Sequence, residues 1–426
     1  MTEAFLHYVW QHQMLIGGLT TTDGQPVCVL RPGEPNYDAG PDFFNARLRI
    51  GDVEWAGNIE IHIHSSDWTA HRHTGDAAYN NIILHVVYEH DAQIRLQNNT
   101  TPPTLELKSF LHPSLVANYE SLTAPATANT ITCANRLPEV PSVVLHSWLE
   151  RLTVERIQSK TDVIKRMLDD SRGDWSQTCY WLLARYYGGK VNALAFEMLA
   201  KSVDPKFLAR WANDRTRVEA LLMGQAGFLN GEFLDEYPRT LQTDYIPLST
   251  GTTLRPMGEH QWKFNRLRPS NFPTVRISQF ADLLAQTPNP FPHLLEMTDV
   301  REIRRFLNRQ AATYWDSHYR FDRLSTRTSV KRLGAMQADI IIINAWVPLL
   351  FLYGVEHGGQ QYKDRALALL AQMPAENNAT IRRWRQAGIP ATNAAESQAL
   401  LQLKDNYCTS RRCLECRIGY HILKKK

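Results

Sequence analysis

The chain has 426 residues, of which 43% are hydrophobic and 21% charged, and 47 Lys and Arg against 43 Asp and Glu leave a net charge of +4. That is enough apolar material for two or three domains with cores of their own. The charge balance excludes a histone-like polycation, and 11 Trp, 16 Tyr and 15 Phe exclude a disordered chain; six Cys over this length do not make a disulfide scaffold. A local basic groove stays possible.

The N-terminus has no basic segment followed by an apolar run, so Glu3–Leu15 is predicted as an amphipathic helix and not a signal peptide. Pro26–Leu30 is predicted as a short apolar strand with Cys28 in its core, and the Pro-, Gly- and Asn-rich stretch 31–42 as a loop. Phe43–Ile50 alternates, with Phe44, Ala46, Leu48 and Ile50 on one face. Val53–His64 is a second strand, joined to the first by a tight turn at Gly51-Asp52. Ser66-Asp67 caps a short helix running toward Tyr79. Ile82–Tyr88 is apolar enough for a strand buried on both faces, and Thr104–Leu107 is a last strand. Helix, three strands, helix, strand describes a mixed α/β domain over residues 1–125.

Ala, Thr and Pro dominate a linker at 126–140, and 141–426 is predicted as a mostly α-helical domain with a Cys-rich tail. Trp148, Leu149, Leu152, Ile157, Ile164, Met167 and Leu168 form an apolar stripe at helical spacing, and Trp175–Tyr187 and Asn192–Ser202 continue that style. Cys179, between two helical Trp, belongs to this core. The polar stretch Asp235–Phe272 is predicted as irregular, with helices resuming near Ile277 and running through Val300–Arg309 to Glu396–Asn406. The apolar run Ile340–Tyr353, interrupted by Asn344 and Pro348, is shorter than the roughly 20 residues a bilayer needs. It is predicted as a buried helix, and the chain as soluble and cytoplasmic, away from membranes, with reduced thiols. No period of repeat architectures is present.

The stretch from Gly40 to His64 carries the chemistry. Asp42 stands where the loop enters a strand, and Glu60 lies inside the next. Antiparallel neighbours joined by a tight turn bring such positions side by side, and alternation puts Glu60, His62 and His64 on one face. If Asp42 points the same way, two carboxylates and an imidazole converge, a donor set for Mg²⁺ or Mn²⁺ that could serve phosphoryl chemistry. The competing reading is of ordinary polar residues on a solvated strand.

Pro41-Asp42 followed by Glu60-Ile61-His62, in that strand context, resembles the PD-(D/E)XK nuclease superfamily. The resemblance covers roughly residues 1–110. It implies a restriction-endonuclease-like mixed sheet with flanking helices, metal binding by Asp42 and Glu60, and help from a Glu on the first helix, here Glu3. It implies hydrolysis of DNA or RNA, with His62 in the place of the superfamily Lys. A neutral imidazole cannot supply the fixed charge of that Lys, so His62 allows an active variant, a shift toward Mn²⁺ or Zn²⁺, or a degenerate site that only binds. Over nearly its whole length the chain also resembles a bacterial family known only as a domain of unknown function. The stretches carrying that likeness are GPDFFNARLRIG, GNIEIHIHSSDW, NNIILHVVYEHD, FNRLRPSNFPTVRISQ and YCTSRRCLECRIG.

Around the carboxylates, His62, His64, His71, His73 and His85 fall within 24 residues, with Asp67 and Asp76. His73 or Asp76 is a candidate for an added ligand or a phosphate contact, against simple loop tethering. A weaker alternative is a zinc hydrolase on His62, His64 and His73. His85 is predicted as a satisfied core histidine, and His7 as a helix partner of Glu3. Cys408, Cys413 and Cys416 give C-x4-C-x2-C, and Cys133 is the natural fourth ligand for zinc or a [4Fe–4S] cluster, with His421 second, against three free thiols in a tail. Finally, nine Lys or Arg between Arg301 and Arg332 interleave with Tyr314, Trp315, Tyr319 and Phe321, and Lys263–Arg276 adds four more. Arg266, Arg268, Arg304 and Arg305, with His73, are the candidate nucleic-acid contacts; a charged helical surface with its aromatics turned inward fits equally.

Overall fold

A computed structural model describes residues 1–124 and 130–425. The chain divides into two compact units. One comprises Met1–Trp148, Gln386–Gly388 and Leu403–Lys426, and the other Leu149–Arg385 and Ile389–Gln402. The first unit is built on a mixed sheet and the second is mostly helical. The predicted linker falls partly on residues 125–129, outside the described residues; its remainder holds a 3-10 turn at Ala134–Glu139.

In the sheet unit, helix α1 (Glu3–Gln11) starts at Thr2, whose hydroxyl accepts from the Phe5 N–H. It buries Phe5, Leu6, Val9 and Trp10, with Phe5 stacked on Tyr119 of α3 (Pro113–Thr123). It stops short of the predicted Leu15 because the chain turns at Gln13, which has φ +48°. The strands are β1 (Leu19–Thr20), β2 (Pro26–Arg31), β3 (Glu34–Pro35), β4 (Phe43–Ile50), β5 (Val53–His64), β6 (Ile82–Glu89) and β7 (Thr104–Glu106). They form one sheet in the order β1-β2-β4-β5-β6-β7, with β3 paired on β4. Strand β4 is antiparallel to both its neighbours, β2 and β5, whereas β5, β6 and β7 run parallel. The crossover from β5 to β6 holds the short helix α2 (Asp67–Ala70) and two 3-10 turns, closed over a small core of Trp68, Tyr79, Ile82, Ile94 and Leu96. Cys28 is exposed, not core: alternation along β2 turns Val27 inward and Cys28 to solvent.

One irregularity decides which residues share a face. At its hairpin end β4 pairs Ala46 with Gly57, but at its entry it pairs Phe43 with Ile59. Three steps on β4 therefore match two on β5, which is a bulge. Asn45 absorbs it in the left-handed region, φ +56°, and its N–H donates to Asn58 Oδ1 at 3.3 Å. Without the extra residue Asp42 would stand opposite Ile61; with it, Asp42 stands opposite Glu60. The same slip makes Phe43, 1% exposed, the core residue in place of the predicted Phe44.

In the helical unit, Pro273–Gln286 is buried along almost its entire length and forms the axis of the core. Arg276 lies on it, 6% exposed, held by Gln279 Oε1 and Asn271 Oδ1, and so is not a surface cation. The stretch predicted as irregular contains a 14-residue helix, Glu236–Ser249. The apolar run belongs to a 22-residue helix, Ala335–Glu356, long and apolar enough to cross a membrane; 72% of its most apolar window is buried in the protein. Its backbone widens to a π-turn at Ile342–Trp346, just before Pro348, which lacks an N–H to donate.

Candidate metal centre

The bulge brings Asp42 and Glu60 together. The Asp42 N–H donates to Glu60 Oε2 at 3.1 Å, and the Ile61 N–H donates to Asp42 Oδ2 at 2.8 Å. Glu60 is 4% exposed. Its Oε1 lies 3.2 Å from His73 Nε2 and 3.7 Å from His62 Nε2, while Asp42 Oδ2 lies 3.2 Å from His7 Nε2. Among the described residues the ion partners of both carboxyls are imidazoles, with no Lys or Arg. Burial, and then the charge of Asp42, pushes the Glu60 carboxyl well above neutrality. Glu3 is raised too, by burial first, with His71 opposing and Asp42 adding; its field therefore reaches this site.

Loop and crossover complete the cluster. His62 Nε2 shares a hydrogen bond with His71 Nδ1 at 3.2 Å, and His62 Nδ1 shares one with His85 Nε2 at 2.9 Å. Ring nitrogens of His62, His71 and His73 lie within 4.8 Å of one another. His64 is not in this group: it ends β5, exposed, with its N–H capped by Asp67. Trp68, fully buried, edges the rings of His62, His73 and His85, and Tyr79 stacks on His73 at 4.0 Å. Burial, followed by the neighbouring imidazoles, pushes His62 down to about 4 and His85 down to about 3, so both are neutral at pH 7. For His7, burial works against the charge but the Asp42 carboxylate outweighs it, and the net direction is up.

The sequence-predicted residues sort clearly. Asp42, Glu60, His62 and His73 share one site, and Glu3 acts on it electrostatically. Asp76 caps a 3-10 turn through the Ala78 N–H. His7, expected only as a helix partner, touches Asp42 from α1; His71 takes the place expected of His64. A cleft of about 810 Å³ opens beside His7, lined also by Tyr37, His12, Arg417 and Tyr420.

The basic stretches fare differently. Arg304 is held bidentate by Asp339 at 2.6 and 3.0 Å. Trp315 is fully buried, with its indole N–H on the Glu219 carboxyl at 2.8 Å, and Tyr314 stacks between Tyr237 and His318. Trp315 thus faces inward, while Tyr314, Tyr319 and Phe321 are half-buried. Arg266, Arg268 and Arg305 are exposed.

Four cysteines, Cys133, Cys408, Cys413 and Cys416, all belong to the sheet unit, while Cys179 is buried in the helical one. Among curated proteins and solved structures nothing matches the chain. Residues 3–379 match the family described as Protein of unknown function (DUF2851), and the chain belongs to that family.

Proposed function

We propose that the sheet unit is a metal-dependent phosphodiesterase acting on nucleic acid, with a variant of the PD-(D/E)XK site. The observation that carries this reading is the Asp42–Glu60 pair: cross-bonded, with Glu60 buried and Asp42 half-buried, and with imidazoles as the ion partners among the described residues. A buried carboxyl with no Lys or Arg beside it, as at Glu60, keeps a proton or takes a metal. The order α1, antiparallel β2–β4–β5, crossover, parallel β6 supports the superfamily likeness.

The donors fit a divalent ion. Asp42 and Glu60 would hold it, with nitrogen from the His62, His71 and His73 group, and this mixture suits Mn²⁺ or Zn²⁺ better than Mg²⁺. When bound, such an ion supplies Lewis-acid charge and eases ionisation of water. The rest falls to the chain. His62 stands in the Lys position without Lys chemistry: it is neutral, and its bonds to His85 and His71 fix the ring orientations around Glu60. His7 faces the cleft and can hold a proton beside Asp42. Tyr37 offers a ring face for a base, and Arg417 a guanidinium for a phosphate.

The test is cleavage of labelled single- and double-stranded DNA and RNA with Mn²⁺, Zn²⁺ or Mg²⁺. Glu60→Gln should cut at least a hundredfold more slowly while keeping its circular dichroism. Wild-type rates in both Glu60→Gln and Asp42→Asn would reject the assignment. A second reading, a non-catalytic nucleic-acid-binding module, is favoured by the missing Lys charge; Mn²⁺ and nucleic-acid binding without any cleavage would select it.

A further inference from the structure

Four of the six cysteines meet at a place that the carboxylate site does not use. Cys133 leads into the 3-10 turn Ala134–Glu139, and the rest of the helical unit separates it in sequence from the other three. Several bonds tie its segment to the C-terminal one. Lys404 Nζ donates to the Thr130 carbonyl at 3.2 Å, His421 Nε2 meets the Glu139 carbonyl at 3.2 Å, and Asn118, bonded by Arg136, donates to the Ile422 carbonyl at 3.1 Å. Cys408 closes a π-turn that begins at Leu403, Cys413 opens a 3-10 turn, and Cys416 precedes the helix Arg417–Lys424. That helix presses on the cysteine turn so closely that a Cβ on Gly419 would lie 2.0 Å from the Cys413 carbonyl oxygen.

The thiols lie within one another's fields. Burial and then Cys416 and Cys413 push the Cys133 thiol up to about 12, and burial followed by Cys133, Cys416 and Cys413 raises Cys408. At the start of that helix the Gly419 and Ile418 N–H groups oppose the rise that burial imposes on the Cys416 thiol.

We propose that Cys133, Cys408, Cys413 and Cys416 hold one [4Fe–4S] cluster that pins the C-terminal segment to the sheet unit. A single zinc would need its sulfurs about 3.8 Å apart, given Zn–S bonds of about 2.3 Å. Among the described residues the group of three ligand atoms within 4.8 Å of one another is the His62, His71 and His73 one, so these sulfurs are spread more widely than a zinc tetrahedron. A [4Fe–4S] cluster is larger than a single ion and would take its four thiolates at wider separations. The turn that carries Cys416 also forms one wall of the cleft beside His7, so the cluster would hold that wall in place.

The experiment uses the full chain, expressed with ample iron and purified without oxygen. Four iron and four sulfide per chain, with broad visible absorbance that dithionite bleaches, are expected. Cys133→Ser should lose most of the iron, whereas Cys28→Ser and Cys179→Ser keep it. Should Cys133→Ser unfold the unit, the wild-type metal content is decisive by itself. One zinc without iron, a metal-free chain whose thiols or disulfides account for all four cysteines, or full iron in Cys133→Ser would each overturn the proposal. None of these outcomes depends on whether Asp42 and Glu60 bind an ion.

Discussion

Replacing Glu60 by Gln should stabilise the metal-free protein and destroy its response to metal. In the fold the carboxyl keeps its proton at pH 7; in the unfolded chain, with an ordinary value of 4.5, it does not. Loading that proton at pH 7 costs about 3.5 kcal/mol, at ~1.4 kcal/mol per pH unit over the interval from 4.5 to 7. The folded form binds the extra proton from pH 4.5 upward to beyond neutrality, so stability in EDTA falls as pH rises across that window. Gln is close in shape, can accept from the Asp42 N–H and can donate toward His73, so it removes both the cost and the slope. For a unit of this size the gain amounts to roughly 5–10 °C in Tm. Wild type should in turn gain about 2.7 kcal/mol from Mn²⁺ at a hundredfold excess over Kd, and the variant nothing. Thermal melts between pH 5 and 8.5, in EDTA and in Mn²⁺, read both effects. A Glu60→Gln protein that is less stable in EDTA, or that keeps the wild-type Mn²⁺ shift, would refute the argument.

Asn45→Val places a β-branched residue at φ +56° and should cost about 1–2 kcal/mol. It should also weaken Mn²⁺ binding at least tenfold by displacing Asp42; calorimetric titration at wild-type affinity would show that the bulge does not aim the carboxylate. Glu219→Ala strips the buried acceptors of the Trp315 indole and the Ser278 hydroxyl, both at 2.8 Å, and should destabilise the helical unit by about 3 kcal/mol in urea. A loss under 1 kcal/mol would count against that network. Burial pushes the Lys160 amine down to about 7. The folded state then binds fewer protons than the unfolded one between about pH 7 and 10.5, so stability should rise with pH there, and Lys160→Met should flatten the rise in urea titrations at pH 7 and 9.

Much of the sheet unit was legible because its signals are local. The Gly51-Asp52 turn and the alternation of Phe43–Ile50 marked one hairpin, and the apolar run Ile82–Tyr88 marked a strand buried on both faces, which the structure extends to Glu89. The bulge was not legible: Phe43 and Phe44 are equally apolar, so the pattern accepts either register. His7 was visible as a neighbour of Glu3, but its contact with Asp42 exists only once α1 has docked. His71 could not be told from His64, since the strand ends at His64 and the following loop reverses direction. Pro238 and Pro247 hid the helix Glu236–Ser249, although Pro238 lies in the first turn, where a missing N–H costs nothing. The spacing of three cysteines was plain and Cys133 was named beside them, and the structure places all four in the sheet unit.

The sheet unit is assembled from stretches of chain that lie on either side of the helical one. During synthesis the helices therefore leave the ribosome as a finished set, while the sheet waits with residues 403–425 still to come. Until that last piece arrives, α3 and the 134–139 turn expose the surface that the helix Arg417–Lys424 later covers. Tags or truncations at this end would act on the earliest part of the fold, far from where they sit in the gene.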